Sequence, residues 1–428
     1  MIRKTICRQG VRYWNHRIPD RFQFLCASQA WGRDDLQKRQ MTLLRDLLIH
    51  AHRVSPYYRQ IMNEHGVDPS QRDSLDQLSR MPFLTKDVLT ARFPDMQIRV
   101  QGERQIYSET SGSTGKPLVF YRNEDWDAWH RATALRGQSW YGVQPWERSG
   151  YLWGYNLSPR KRYKTQFLDA LQNRFRLFSY NPVEMGRFLD KLTSARSLSG
   201  YSSMIYELAK RKLQARSGNR YDLRMIKGTS EKIFSHYQDT VKMAFGRKIV
   251  SEYGSAECGI MAFESPCGNM HITMETVIIE EIDGEIVVTN LVSRSLPIIR
   301  YRLGDYIKIS DHGLCTCGMD RPVIEEILGR VGKIIYGKRT NYPSLTLYYI
   351  FKNLALSGTA ILNYQAIQRH KGQLVLRIEE TLGDHQRQAL REEINKYYKD
   401  DMDVSVTENE TILSGTKKRI DFISEIND

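Results

Sequence analysis

Eleven residues, Tyr107-Ser-Glu-Thr-Ser-Gly-Ser-Thr-Gly-Lys-Pro117, concentrate groups that suit one kind of ligand. Thr110, Ser111, Ser113 and Thr114 supply short hydroxyl donors, and Lys116 adds a fixed positive charge. Gly112 and Gly115 let the backbone bend sharply and come close to whatever is bound. Such a loop wraps phosphate oxygens and neutralises part of their charge. The residue after Lys116 is Pro117, followed by the apolar run Leu118-Val-Phe-Tyr121, so a helix start is disfavoured. The pattern predicts a phosphate loop between two strands. The competing reading is a mobile Ser/Gly linker, but linkers seldom place Lys-Pro directly before a strand.

Thr110–Pro117 resembles the phosphate loop of the AMP-forming adenylating enzymes: acyl-CoA synthetases, peptide-synthetase adenylation domains and luciferases. Within them the whole chain is most similar to the phenylacetate-CoA ligase branch, including its relatives in capsular polysaccharide clusters. Pro56-Tyr-Tyr-Arg59 and Met81-Pro-Phe-Leu-Thr-Lys86 look like segments that precede the loop in that branch. The resemblance implies ATP and Mg²⁺ as ligands, a carboxylic acid as substrate and CoA as one acceptor. Joining a carboxylate to AMP makes a mixed anhydride with a good leaving group, which a carboxylate at neutral pH lacks.

Further residues match the needs of that chemistry. In Val250–Gly259, Tyr253-Gly254-x-x-Glu257 resembles the family's adenine-and-metal motif. Tyr253 offers a ring for adenine, Gly254 close backbone approach, and Glu257 a hard oxygen for Mg²⁺. Ser230 and Glu231, in Lys227-Gly-Thr-Ser-Glu231, resemble the adenine-site turn; an ordinary helix start capped by Ser230 also fits. Asp305 ends Leu296–Asp305, where a carboxylate after a strand and a glycine accepts from both ribose hydroxyls. A surface-turn Asp is the bland alternative. Arg330 lies in a segment resembling the hinge between two domains and would contact ribose or phosphate. The acidic pair usual after it is replaced by Gly332-Lys333, removing the pivot carboxylate. Near the C-terminus, Lys417 and Lys418 both match the family's adenylation lysine, which neutralises charge as the anhydride forms. A solvated basic tail fits the same residues.

A second cluster stands apart. Cys267-x₃-His271 and Cys315-x-Cys317 give three thiolates and one imidazole, a set suited to closed, structural tetrahedral Zn²⁺. A hairpin between the two pairs offers a way to join them. Four unrelated, reduced side chains remain the alternative, and Cys258 is a substitute ligand or a lining residue.

The bulk numbers set the frame. A chain of 428 residues with 41% hydrophobic and 11% aromatic content buries a substantial core and divides into domains. No apolar run approaches about 18 residues, so no transmembrane span is expected. The first ten residues lack an apolar signal region and the six cysteines are unevenly spread, which points to reduced thiols and a cytoplasmic setting. Net charge +14 suits an anionic partner. No nucleic-acid-binding motif is present. A solvated basic surface or peripheral membrane contact through the basic N-terminal stretch accounts for the charge.

The elements that must hold these residues follow from periodicity. Residues 1–40 show no clear period, and Met41, Leu44, Leu47, Leu48 and Ala51 then mark a helix that stops before Pro56. Thr85 is an expected N-cap. Helices are expected over 125–141, 183–196 and 203–216, alternating with short apolar strands near 150–155, 225–226 and 248–250. This implies α/β architecture with largely parallel sheets. Asp283-Gly284 between two apolar runs signals a hairpin. Beyond Gly329-Arg330, strands at 360–367 and 373–379 and a helix at 385–398 are expected. The fold class is therefore α/β: a large multi-layer N-terminal domain (1–329) of sheets and helices, with a small α+β C-terminal lid (330–428), as the acyl-adenylate-forming resemblance implies. The function read from this is an ATP-dependent, AMP-forming carboxylate ligase with a thiol acceptor. An amine on a sugar or amino acid as acceptor, and a nucleotide-binding protein without ligase activity, are the alternatives. Trp153 and Tyr155 with the 251–259 turn are expected to wall the acid pocket.

Overall fold

The computed structural model describes residues 2–109, 118–152, 159–177, 182–215, 218–229, 233–311, 313–330, 334–357, 359–360, 362–412 and 421–426. The N-terminal hundred residues are helical. Ile2–Trp14 and Ile18–Ser28 form where no clear period was expected; the first carries Arg3, Lys4, Arg8 and Arg12 among its apolar residues, and the second buries only Ile18, Leu25 and Ser28. Helix Arg33–Val54 begins eight residues before the Met41 start read from the sequence. In its first turns only Leu36 and Gln40 turn inward, which hides the period. Asp34 and Asp35 sit at its start and His52 and Arg53 at its end, both favourable to the helix dipole. It stops before Pro56, which opens the next helix with Ser55 accepting from the Tyr58 amide. Thr85 caps helix Lys86–Ala91 as expected, accepting from the Val88 amide.

Strands β1 (Gln105–Glu109) and β2 (Val119–Asn123) pair antiparallel, Glu109 opposite Val119. Among the described residues, eleven strands then form one sheet. They are β3 (Ser149–Leu152), β4 (Arg174–Leu177), β5 (Ser197–Tyr201), β6 (Met225–Thr229) and β7 (Ile249–Ser255). They continue with β8 (Gly259–Glu264), β9 (Met270–Ile272), β10 (Val277–Ile282), β11 (Glu285–Asn290), β12 (Ile298–Ser310) and β13 (Val323–Arg330). The order is β10-β11-β12-β13-β9-β8-β7-β6-β5-β3-β4. The expectation of largely parallel sheets holds for only half of it. From β4 to β7 neighbours are parallel and joined through helices such as Ser202–Gln214. From β7 onward every pair is antiparallel; most of these neighbours follow one another in sequence without an intervening helix, and β13 returns to pair with β9. The Asp283-Gly284 turn, with φ of 53° and 80°, joins β10 to β11 as the sequence signalled.

The cores follow these layers. One packs the N-terminal helices and helix Glu124–Trp140 on the antiparallel half, around Leu44, Trp126, Met261 and Ile286. Another packs helices Pro182–Leu192, Ser202–Gln214 and Ser235–Phe245 against the parallel half. At the C-terminal end, β14 (Ile334–Tyr336) pairs with β15 (Asn341–Pro343). There β16 (Tyr364–Gln368), β17 (Gln373–Ile378), β18 (Asp403–Thr407) and β19 (Phe422–Ser424) form a four-stranded sheet in the order β18-β17-β16-β19. Helices Leu345–Leu356 and Asp384–Tyr398 share a separate core with this sheet, around Ile350, Leu376 and Tyr398. The architecture is mixed α/β, a large multi-strand sheet with helices and a smaller α+β unit. Among the described residues, no helix is long and apolar enough to cross a membrane.

Beneath helix Glu124–Trp140 lies a buried charged triad. Glu275 contacts Arg136 at 2.7 Å and Arg321 at 3.0 Å, and accepts from Ser28 at 2.8 Å. Burial pushes the Glu275 carboxyl up, but the two guanidinium groups outweigh it and hold it at about 2. Four segments distant in sequence are thereby tied together.

Candidate active site

The antiparallel half brings several of the expected nucleotide residues together. Tyr253 on β7 donates from its hydroxyl to Asp305 Oδ2 on β12 at 2.9 Å. Asp305 stands opposite Arg330 on β13. The register of β12 slips between Arg302 and Tyr306, and Gly304 takes φ of 81°, a bulge that re-aims the residues around Asp305. Glu257 sits in the turn after β7, 6% exposed, with the Tyr301 hydroxyl 3.5 Å from Oε1. The Asn290 side chain donates to the Glu257 carbonyl at 3.2 Å and fixes the turn from β11. Cys258 feels both acids: burial first, then Glu257 and, more weakly, Asp305 push its thiol up. It is therefore an uncharged lining group next to Glu257.

Gly254 has a steric reason to be glycine. A Cβ there would stand 2.4 Å from the Gly259 carbonyl oxygen and 3.0 Å from Ile260 Cα. Replacing Gly254 by Ala should break the β7–β8 pairing that carries Tyr253 and Glu257, at a cost of at least about 2 kcal/mol. Urea unfolding of the variant measures it, and an unchanged midpoint would refute the role.

Other expected residues fall elsewhere. Thr110 to Lys116, Trp153, Tyr155, Ser230, Glu231, Gly332, Lys333, Lys417 and Lys418 lie outside the described residues, as does the side chain of Arg330. Strands flank the 110–117 segment on both sides, as Pro117 and the apolar run predicted. From β2, Arg122 reaches the Ala256 carbonyl at 2.6 Å, so the strand leaving that segment abuts the Glu257 turn.

Sequence reasoning missed Arg122, Tyr301, His130 and the Lys227–Glu252 pair. Lys227 Nζ lies 2.6 Å from Glu252 Oε2. Each belongs to a segment already singled out or adjoining one, but their meeting depends on sheet register.

Cys267, His271, Cys315 and Cys317 offer ligand atoms that all lie within 4.8 Å of one another. The Cys267 and Cys315 sulfurs are 3.5 Å apart, and Cys317 Sγ lies 3.2 Å from His271 Nε2. The β9–β13 pairing, with His271 opposite Val323, brings the two pairs together; the 277–290 hairpin expected to do so lies to one side. Burial, then Arg321 and Arg136, hold His271 at about 4, so its imidazole is neutral at pH 7, as a metal ligand must be. At Cys315 burial opposes ionisation, but the Cys317 amide and hydrogen bonds from Asn269 and the neighbouring thiols bring it to about 6. Cys317 is pushed up to about 11 by burial and by those thiols.

A cleft of about 600 Å³ lies between helix Asp384–Tyr398 and β18, lined by Leu390, Ile394 and Val404 among others. It shares no residue with the cluster around Tyr253 and Asp305.

No family model matches the chain. It is 24% identical over 415 residues to the phenylacetate-coenzyme A ligase of Thermus thermophilus, covering 87% of this chain and 92% of that protein. Protein CapK of Staphylococcus aureus is 22% identical over 309 residues, covering 69% and 68% respectively. Among solved structures, 2-hydroxyisobutyryl-CoA ligase in a postadenylation state superposes with a TM-score of 0.72 at 18% identity, covering 93% of this chain and 91% of that one. The same ligase in a thioesterification state gives 0.61 at 19% identity, with coverage of 92% and 91%. The fold is that of acyl-adenylate-forming ligases.

Proposed function

We propose, from the chain's place among the AMP-forming adenylating enzymes on their phenylacetate-CoA ligase-like branch, that it activates a carboxylic acid with ATP and passes the acyl group to the thiol of CoA. The observation that carries this reading is the convergence of Tyr253, Glu257 and Asp305 from β7, its following turn and β12. Asp305 takes the ribose hydroxyls, with the Tyr253 hydroxyl orienting its carboxylate. Tyr253 also lies against the adenine, and Ser230 and Glu231 border that base. Glu257, a buried carboxylate whose one side-chain hydrogen bond among the described residues is long, fits a hard cation. Mg²⁺ held there would neutralise phosphate charge during attack on the α-phosphorus. Thr110 to Lys116 grip the phosphates, Arg330, opposite Asp305 at the end of β13, contacts ribose or phosphate, and Lys417 or Lys418 reach the phosphates from the C-terminal lid that follows. Acid-dependent exchange of labelled pyrophosphate into ATP tests the first half reaction, and acyl-CoA formation separates a thiol from an amine acceptor.

The Cys/His cluster fits structural Zn²⁺. Zn–S bonds of about 2.3 Å and Zn–N bonds of about 2.0 Å imply ligand separations of about 3.5–3.8 Å. The observed 3.5 and 3.2 Å need little adjustment. Held by Cys267, His271, Cys315 and Cys317, the ion would pin the β8–β9 turn to the 314–320 turn. Purified protein should carry one zinc per chain, and chelation should lower its unfolding temperature. Protein lacking zinc and indifferent to chelator would refute this.

A further inference from the structure

Beside the nucleotide-facing residues lies a polar cluster to which the proposed ATP contacts give no task. Lys227 on β6 is only 9% exposed and pairs with Glu252 on β7. Register sets Lys227 opposite Val250 and Thr229 opposite Glu252, making the charged residues diagonal neighbours on one face. Glu252 directly precedes Tyr253, whose hydroxyl reaches Asp305. Helix Glu124–Trp140 adds His130, whose Nδ1 is shut off from solvent and has no hydrogen-bond partner among the described residues. A Cβ at Gly259 would stand 3.8 Å from that nitrogen, so His130 faces the start of β8. Arg122, Arg131 and Lys227 all lie within Coulombic reach of the His130 ring, which burial keeps neutral. Arg122 uses Nη2 on the Ala256 carbonyl and keeps Nε buried, again without a partner among the described residues.

The position of this cluster is informative. Glu252 is the last β7 residue of the parallel β6–β7 ladder and Lys227 lies two residues inside it on β6, just before the sheet turns antiparallel at β8. In open α/β sheets, ligands bind outside the carboxyl ends of the strands. An aryl or alkyl chain placed there would strip water from a charged pair and return no hydrogen bond. A second polar group on the acid would instead meet a cation, a carboxylate and a ring nitrogen at once.

We infer that the acid activated by this protein is polar. It carries a hydroxyl, amino or second carboxyl group in addition to the reacting one, and Lys227, Glu252 and His130 recognise that group. The inference rests on the ligase reading above. Its test is pyrophosphate exchange by the full chain with size-matched acids: phenylacetate and hexanoate against hydroxy acids, amino acids and dicarboxylates. A polar acid should be favoured over its apolar counterpart by at least about 100-fold in kcat/KM, because a site built for hydrogen bonds rejects analogues lacking them. The double variant Lys227→Met, Glu252→Met removes both charges without orphaning either. It should shift the ratio of kcat/KM between acids toward the apolar ones by about 100-fold, and a general loss of activity cancels in that ratio. His130→Leu, should the double variant fail to fold, should shift the same ratio about tenfold. Exchange with apolar acids only, or an unmoved ratio in the variants, overturns this inference and leaves the ligase reading intact. Exchange with none of the acids overturns both.

Discussion

Asp305→Asn should lower kcat/KM for ATP in pyrophosphate exchange by about 100- to 1000-fold while leaving the fold intact. In the proposed ribose contact two charge-assisted hydrogen bonds are at stake, each of about 1.5–3 kcal/mol. Asn keeps the shape and one acceptor, so the loss reports charge rather than packing. Tyr253→Phe removes only the 2.9 Å bond that orients the Asp305 carboxylate, and about a tenfold loss is expected. If Asp305→Asn leaves the ATP dependence untouched, Asp305 is a structural residue of the β12 bulge and the ribose assignment fails.

Glu275→Ala should destabilise the protein by about 3–5 kcal/mol, the cost of leaving two buried guanidinium groups without their shared carboxylate. Arg136 and Arg321 are both 1% exposed, so water cannot replace the lost partner without local opening. Natural stability is only about 5–15 kcal/mol, so this one change removes a large part of it. The same triad sets an acid dependence. The Glu275 pKa is depressed in the folded protein, from 4.5 to about 2. Its contribution, about 3 kcal/mol, is complete above pH 4.5 and is lost as pH falls toward 2. Urea unfolding at pH 7, 4 and 3 checks both statements. A variant with an unchanged midpoint, or a wild type equally stable at pH 3, would contradict them.

The parts of this molecule that could be read from the chain are those where chemistry and local geometry coincide. Gly254 between Tyr253 and Glu257, and Gly304 before Asp305, are local patterns whose glycines serve backbone geometry. Asp283-Gly284 was legible for the same reason, since positive φ at both residues makes the hairpin turn. The first forty residues were not, because helices Ile2–Trp14 and Ile18–Ser28 turn few large side chains inward and leave little periodicity. The antiparallel half of the main sheet was missed because strand direction depends on connection length as much as on apolar content. His130, Lys227 and Arg122 come from three elements, and only the pairing of β6 with β7 and the seating of helix Glu124–Trp140 bring them near one another. The Cys/His spacing was legible, yet the join came through β9 and β13, a contact between strands some fifty residues apart.

The claim on which the rest depends is that Tyr253, Glu257 and Asp305 serve acyl-adenylate formation. Its most direct measurement is incorporation of labelled pyrophosphate into ATP by the purified chain with Mg²⁺, with and without a carboxylic acid. The expected result is exchange that requires an acid, falls about 100-fold or more in Asp305→Asn and is abolished in Glu257→Ala. ATP binding with no acid-dependent exchange across polar and apolar acids would contradict it.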